Sequence, residues 1–511
     1  MLTSVDFSGR PFHFIGIGGI GMSALAYVLL ERKLPVSGSD LRLSHITERL
    51  KTLGAHIFLS QDAANLEYFS QTCSEVAEAI PIGASAVATV AEPITKRHLM
   101  PDVLRSDGVA AGLPQVICST AINESNAEYR AALELGCPVF HRSDLLAALI
   151  KDYRSIAIAG THGKTTTSSL VSYLLLEADL DPTVIIGGEV KAWQGNARFG
   201  YGKYLVAEAD ESDGSLVKFE PYVGVITNAE LDHPDHYSSL DEIVDTFQTF
   251  ANRCEVTIGC IDCETVRDRI TPTLSYSLNA DSGADYTVDS ICYGGDCTTA
   301  RVLEHGQVLG DLKIQLLGHH NLSNALAAVA VGRLLGIEFA TIAAALATFE
   351  GAKRRFEHYG TANNILFIDD YAHHPSEVRA TLTSARLHAT QSFPKRRVVA
   401  VFQPHRYSRT TTFLTEFAEA FGDADVVVLS DIYSAGESSS GQIKGQEVAD
   451  FFATRHSKVH YQPTLAAISD FLAETLTPGD LVIFLGAGNL NQIIPDAIAT
   501  QALKDRTLAG G

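Results

Sequence analysis

The stretch with the most specific chemistry is Gly160, Thr161, His162, Gly163, Lys164, Thr165, Thr166 and Thr167, between the apolar run Ile156 to Ala159 and the stretch Ser168 to Glu177. A buried strand, a glycine turn and a helix start in that order bring unpaired backbone N–H groups and the positive end of a helix dipole to one spot, which suits phosphate. Lys164 can then reach the outer phosphates of a nucleoside triphosphate, and the Thr165 hydroxyl can hold magnesium. The loop is shorter than the general pattern, which puts glycine where Ile158 stands. A turn with these residues and no ligand is the plainer alternative.

Two acidic clusters follow downstream, Glu208 to Asp213 and Glu230 to His236, each after a run read as a strand, Tyr204 to Ala207 and Val223 to Thr227. Strand ends are where an α/β sheet keeps its chemistry. Alone, either cluster reads as a solvated loop; beside a phosphate loop, carboxylates and the His233 imidazole suit magnesium, which neutralises charge as a phosphoryl group moves.

Near the N-terminus, Gly16, Gly18, Gly19, Ile20, Gly21 and Met22 complete a Gly-x-Gly-x-x-Gly turn, and Asp40 follows where a dinucleotide fold puts its ribose-binding acid. On pattern alone this is an NAD site; a tight turn without a ligand remains open. Ser119 and Thr120 end another strand at a ligand-facing edge, although such a pair is more often a cap or loop. In the last third, strand ends carry Asp369 to Pro375 and Gln403 to Arg409, where Arg406 and Arg409 with aromatic and imidazole neighbours suit a carboxylate or phosphate clamp.

These residues need three βα series to position them. The first runs over 12–150, alternating Phe12 to Gly16, Ile20 to Lys33, Pro35 to Gly38 and Ser44 to Leu53, with an aperiodic surface insertion at about 70–114. The second has strands from Ser155, at Thr183 to Ile186, Tyr204 to Ala207 and Val223 to Thr227, and an Ala-rich helix around Asn324 to Leu335. The third has strands at Ile365 to Ile368, Arg397 to Phe402, Asp425 to Leu429 and Leu481 to Leu485. At 511 residues the chain exceeds a single core. The expectation is an α/β protein of three domains, at 1–150, 151–358 and 359–511.

With 39 basic against 60 acidic residues the net charge is -21, which repels nucleic acid and anionic membrane alike. No apolar run approaches the roughly 20 residues of a membrane span, and Met1 to Arg10 lacks a cationic leader. A cytoplasmic protein, monomer or homodimer, without nucleic-acid partner or membrane insertion is expected. Eight cysteines are scattered; Cys260 and Cys263 with Cys292 and Cys297 make a poor zinc pattern, so reduced thiols are the default.

Taken in order, Gly160 to Thr166, Glu208 to Ser212, Thr227-Asn228 with Asp232-His233, Gly318 to Asn324, Arg354 to Glu357 and Asp369 to Tyr371 resemble the signatures of the Mur ligase family, the ATP-dependent amide ligases of peptidoglycan synthesis and so of cell wall biogenesis, over nearly the whole chain. The resemblance implies an N-terminal Rossmann-like domain for a UDP-sugar, a central P-loop ATPase-like domain and a C-terminal Rossmann-like domain for the amino acid. It reassigns Gly16 to Met22 to a UDP-sugar diphosphate, with Asp40, Ser119 and Thr120 near the uridine. It implies Lys164 and the loop amides on the β- and γ-phosphates, Thr165 and Glu208 on one Mg2+ and His233 on a second. His320, Asn321 and Asn324 would meet adenine, Asp370 the ribose, and Arg355 the transferring phosphate. Tyr371, His374, Arg406 and Arg409 would lie nearest the amino acid. Within the family, His13 to Ser23 and Phe402 to Arg409 resemble the branch that adds the first residue of the stem peptide, implying UDP-N-acetylmuramate and L-alanine as substrates and an acyl-phosphate intermediate. A branch that recycles stem peptide onto the same sugar nucleotide is the near rival, and an NAD-dependent oxidoreductase the rival from another class.

Overall fold

The computed structural model describes residues 4–69, 113–392, 394–439 and 441–509, and falls into two compact units, Met1–Ala148 and Leu149–Gly511. All but the last two positions of the expected insertion at 70–114 lie outside the described residues.

The first unit carries a five-stranded parallel sheet in the order His56–Phe58, Val36–Ser39, Phe12–Ile15, Gln115–Cys118, Val139–His141. Its three central strands are buried at every position, as a parallel sheet covered on both faces requires. Strand order reverses between Phe12–Ile15 and Gln115–Cys118, and at such a reversal the loops leave a crevice beyond the strand ends. The Gly16 turn and Ser119-Thr120 both leave the sheet there. A buried polar knot lies below: Glu128 takes His13 Nε2 at 2.8 Å and Asn65 Nδ2 at 2.8 Å on one oxygen, and the Ser39 hydroxyl on the other. Each partner satisfies a charge that would be costly alone.

The second unit holds two sheets. The larger has ten strands, seven of them parallel from Tyr286–Tyr293 through Leu274–Ser277, Val256–Cys260, Val223–Ile226, Arg154–Ala159 and Tyr204–Glu208 to Thr183–Val190, with antiparallel strands at each edge. The smaller has six, in the order Glu357–Ala362, Ile365–Asp370, Leu481–Leu485, Val398–Phe402, Val426–Leu429, Val459–Tyr461; all but the first pair run parallel. The helices Lys164–Glu177 and His319–Leu334 share one core with the larger sheet, where Leu170 and Leu174 join Ala325, Ala327 and Val331. Small alanines and Gly332, where a Cβ would come 2.9 Å from Leu174, let the two helices pack closely. That packing brings Asn321 and Asn324 up to the phosphate loop.

The three-part α/β architecture anticipated from the alternation of elements is the one observed. The antiparallel edge over Tyr286–Ile314 was not anticipated, and it accounts for Cys292 and Cys297, which stand either side of a hairpin turn.

Candidate active site

Strand Arg154–Ala159 delivers the chain into the loop, and helix Lys164–Glu177 leaves it with Gly163 at its N-cap, φ 81° and no side-chain cap, so a ligand is the natural partner for the helix start. Gly160 has φ 137°, and a Cβ there would lie 2.0 Å from Thr227 Oγ1; at Gly163 it would lie 2.5 Å from Asn324 Oδ1. Neither position tolerates a side chain. The neighbouring strand end braces the loop: Asn228 Oδ1 accepts the His162 N–H at 2.8 Å, and Thr227 Oγ1 donates to the His162 carbonyl at 2.5 Å. Lys164 Nζ donates to Gly160 O at 2.7 Å and Thr161 O at 3.0 Å and pairs with buried Glu211 at 2.8 Å. Burial works against its charge, but Glu211, Asp210 and Glu208 outweigh that and raise its pKa.

Thr165 Oγ1 donates to Glu208 Oε1 at 3.0 Å and accepts a 3.4 Å contact from the Arg355 guanidinium, while the other Glu208 oxygen takes the Gly187 N–H at 2.7 Å. A Cβ at Gly187 would sit 2.6 Å from that carboxylate, so glycine keeps the cradle open. His233 stands across Glu211, with Nε2 3.8 Å from Glu211 Oε1 and 3.7 Å from Asp232 Oδ2, and burial lowers its pKa. A hydroxyl and carboxylate oxygens form a donor set that fits magnesium. His233, Arg354, Phe356 and Arg406 all hold positive φ, a strain that clusters at functional sites.

Asn324 Oδ1 accepts from Thr167 at 3.1 Å, Asn321 donates to Leu317 O at 2.9 Å, and burial takes the His320 pKa down to about 4. Asp370, expected at a ribose, already accepts the N–H groups of Phe356 at 2.7 Å and Ala372 at 2.8 Å, so it holds the turn beside Arg355. Arg354 and Arg355 lie over the Tyr371 ring at 4.8 and 5.3 Å.

The four residues expected at the amino acid are not gathered as a single clamp. Arg409 is 2% exposed and spends Nε and Nη2 on Asp232 at 2.9 and 2.8 Å; Arg406 pairs with Asp235 at 2.6 Å. His374 turns to the phosphate loop, its ring 4.6 Å from that of His162, and it is His373 that packs on Tyr371 at 5.4 Å and His405 at 5.8 Å. Sequence reasoning passed over Glu377, which accepts the His373 and His374 N–H groups at 3.0 and 3.2 Å and meets His162 Nδ1 at 3.3 Å. Its spacing after His374-Pro375 was the available signal, a helix-capping pattern.

In the first unit, Gly16 has φ 83°, and the helix Ile20–Glu31 starts after Gly19 without a side-chain cap. Asp40 Oδ2 accepts the Gly18 N–H at 2.8 Å, folding the acid over the glycine loop. A Cβ at Gly18 would lie 2.7 Å from that oxygen. Among the described residues no cysteine belongs to a metal-like cluster.

Three family descriptions match this chain: Mur ligase family, catalytic domain over residues 11–154, Mur ligase middle domain over 158–332, and Mur ligase, glutamate ligase domain over 354–488. The chain is 63% identical over 503 residues to the UDP-N-acetylmuramate--L-alanine ligase of Nostoc punctiforme, covering 98% of each. It is 60% identical over 514 residues to the ligase of the same name from a Nostoc species, again covering 98% of each. Among solved structures it is similar to the UDP-N-acetylmuramate-alanine ligase of Thermotoga maritima, with TM-score 0.74, 26% identity and 98% and 100% coverage. A murein peptide ligase from Psychrobacter arcticus shares the fold at TM-score 0.66 and 21% identity, with 97% and 99% coverage. With a phosphate loop, its acidic partners and matches that run the length of the chain, the protein belongs to the Mur ligase family.

Proposed function

We propose that the protein joins L-alanine to UDP-N-acetylmuramate at the expense of ATP, in peptidoglycan precursor synthesis. The observation that carries this reading is the likeness to the Nostoc punctiforme ligase, 63% identity over 98% of each chain. The phosphate loop, which a nicotinamide enzyme would leave unused, argues against the oxidoreductase. The reading divides the chain into a UDP-sugar part at 1–150, an ATP part at 151–358 and an amino-acid part at 359–511.

A carboxylate is a poor acylating agent, so its oxygen first attacks the γ-phosphorus of ATP in line, the bond to the β-phosphate oxygen breaks, and ADP leaves an acyl phosphate. The neutral amine of L-alanine then attacks the acyl carbon, and the tetrahedral adduct expels phosphate and loses its amine proton to give the amide. In this scheme Lys164 leaves the loop carbonyls for the outer phosphates, and Arg355 balances charge on the transferring group. Thr165, Glu208 and His233 would hold Mg2+, which supplies charge neutralisation at the phosphates. His320, Asn321 and Asn324 would border the adenine and Asp370 the ribose side. Gly16 to Met22, Asp40, Ser119 and Thr120 would take the sugar nucleotide. Tyr371, His374, Arg406 and Arg409 would border the amino acid, with Arg409 acting through Asp232. No helix among the described residues is long and apolar enough to cross a membrane. The reading places the work in the cytoplasm because its substrates are water-soluble.

Phosphate release, measured with each substrate omitted in turn, tests the reading. Release is expected only when ATP, Mg2+, UDP-N-acetylmuramate and L-alanine are all present, and Glu208→Gln should raise the Mg2+ needed for half-maximal rate about tenfold or more. Release that ignores the sugar nucleotide would remove the proposal.

A further inference from the structure

His162, Glu230 and His374 form a cluster that the ligase chemistry above does not use as a unit. His162 belongs to the phosphate loop, Glu230 to the loop after strand Val223–Ile226, and His374 caps the helix Pro375–Gln391. One ligand atom from each lies within 4.8 Å of the other two, and His162 Nε2 is 3.5 Å from Glu230 Oε2. His374 is 5% exposed, yet its Nε2 is buried with no hydrogen-bond partner, and His162 Nε2 is likewise without one. Buried imidazole nitrogens without partners are uncommon and call for an explanation.

We propose that these three residues bind a divalent transition-metal ion of the Zn2+ or Co2+ type, at a site separate from the Thr165 and Glu208 oxygens. Two imidazoles and one carboxylate, with a fourth position open, are a four-coordinate donor set that such ions favour. Mg2+ requires a near-octahedral shell of oxygens and does not compete well for it. The surroundings are those of a supported metal site. Glu377 Oε1, 3.3 Å from His162 Nδ1, holds the ring proton on that nitrogen, so the ion takes the place of the Nε2 proton that otherwise faces Glu230 and that proton is released to solvent. The Ser376 hydroxyl fixes the Glu230 carboxylate at 2.8 Å. Binding through His374 Nε2 places that ring's proton on Nδ1 and gives up only a long 3.3 Å contact from the Ser376 N–H. A proton on His162 Nε2 would serve Glu230 but leave His374 Nε2 with nothing, whereas a cation serves all three groups. The consequence is mechanical. An ion here ties the ATP loop to the helix that follows strand Ile365–Asp370, so it would hold the phosphate loop against the C-terminal sheet.

The test uses the full-length, nucleotide-free protein, stripped with a chelator and titrated with Co2+ in millimolar Mg2+. The expected result is one Co2+ per chain with the visible d–d absorption of a four-coordinate ion. Its affinity should fall about tenfold or more in Glu230→Gln and in His374→Ala and persist in Glu208→Gln. No Co2+ uptake in the presence of Mg2+, equal affinity in all variants, or loss in Glu208→Gln with retention in Glu230→Gln would each overturn the proposal. Thermal melts establish that each variant is folded. If His374→Ala is not, Glu230→Gln, whose side chain is 42% exposed, decides alone. The readout needs no substrate, so it stands whether or not the ligase reading does.

Discussion

Lys164 is tethered to two loop carbonyls and to the buried carboxylate of Glu211, and its position accounts for both reactivity and a stability cost. Removing it takes a cation from the phosphates and leaves Glu211 buried without its counter-ion. Lys164→Ala should therefore lower ATP turnover about 10²-fold or more and also lower the melting temperature. Adding Glu211→Gln should recover the melting temperature and not the turnover; steady-state kinetics and thermal melts read the two separately, and unchanged turnover in Lys164→Ala would remove that residue from the mechanism. Gly160 is as constrained, with φ 137° and no room before Thr227 Oγ1, so Gly160→Ala should destabilise by about 2 kcal/mol or more in urea denaturation. Much of this was legible in the sequence, because glycine, lysine and threonine in that spacing have few other uses. The turn of His374 away from Tyr371 was not legible: two adjacent histidines are equivalent on paper, and only the cap made by Glu377 decides which one faces the phosphate loop.

Elements hold the strand-end loops together through buried charge. Arg409, from the helix Tyr407–Thr412, meets Asp232, from the loop after Val223–Ile226, in a pair closed to water. Burial works against the Asp232 charge, but Arg409 with nearby histidines more than offsets it and holds the carboxyl far below its usual range. Arg409→Ala should cost about 3–5 kcal/mol, while Arg406→Ala, which frees the more exposed Asp235, should cost under about 1 kcal/mol. Chemical denaturation of the two variants checks the ranking, and equal costs would contradict it. At this scale the buried parallel strands were readable because they are continuous apolar runs, as Leu481–Leu485 and Val398–Phe402 are. The strands of Tyr286–Ile314 were not, since their exposed faces carry Asp289, Arg301, Asp311 and Lys313 and interrupt the runs.

For the whole molecule, acid is the weak side. Burial holds His320, His374 and His405 down to about 4 and His373 to about 3, against an unfolded value of about 6.5. As pH falls below that value the unfolded chain takes up protons that the folded chain refuses, so stability drops between about pH 6.5 and 4. Asp369 and Asp370, pushed up to about 6 by burial, offset part of this below pH 6. In the metal-free protein His162 acts at the other end: burial opposes its charge, but Glu230 and Glu377 outweigh it and push it up to about 10, so its contribution is complete below about pH 6.5 and is lost as pH rises through 10. Urea midpoints should fall steeply from pH 7 to 4.5 and gently from pH 8 to 10; a flat acid limb would contradict the burial of these histidines. The function turns on which amine meets the acyl phosphate of the sugar nucleotide. The most direct measurement is amide formation by the purified chain with UDP-N-acetylmuramate and MgATP, offered L-alanine and a stem tripeptide in competition and followed by mass spectrometry. The expected product is UDP-N-acetylmuramoyl-L-alanine, formed in step with phosphate release. Predominant tripeptide product, or ATP hydrolysis without either amide, would contradict it.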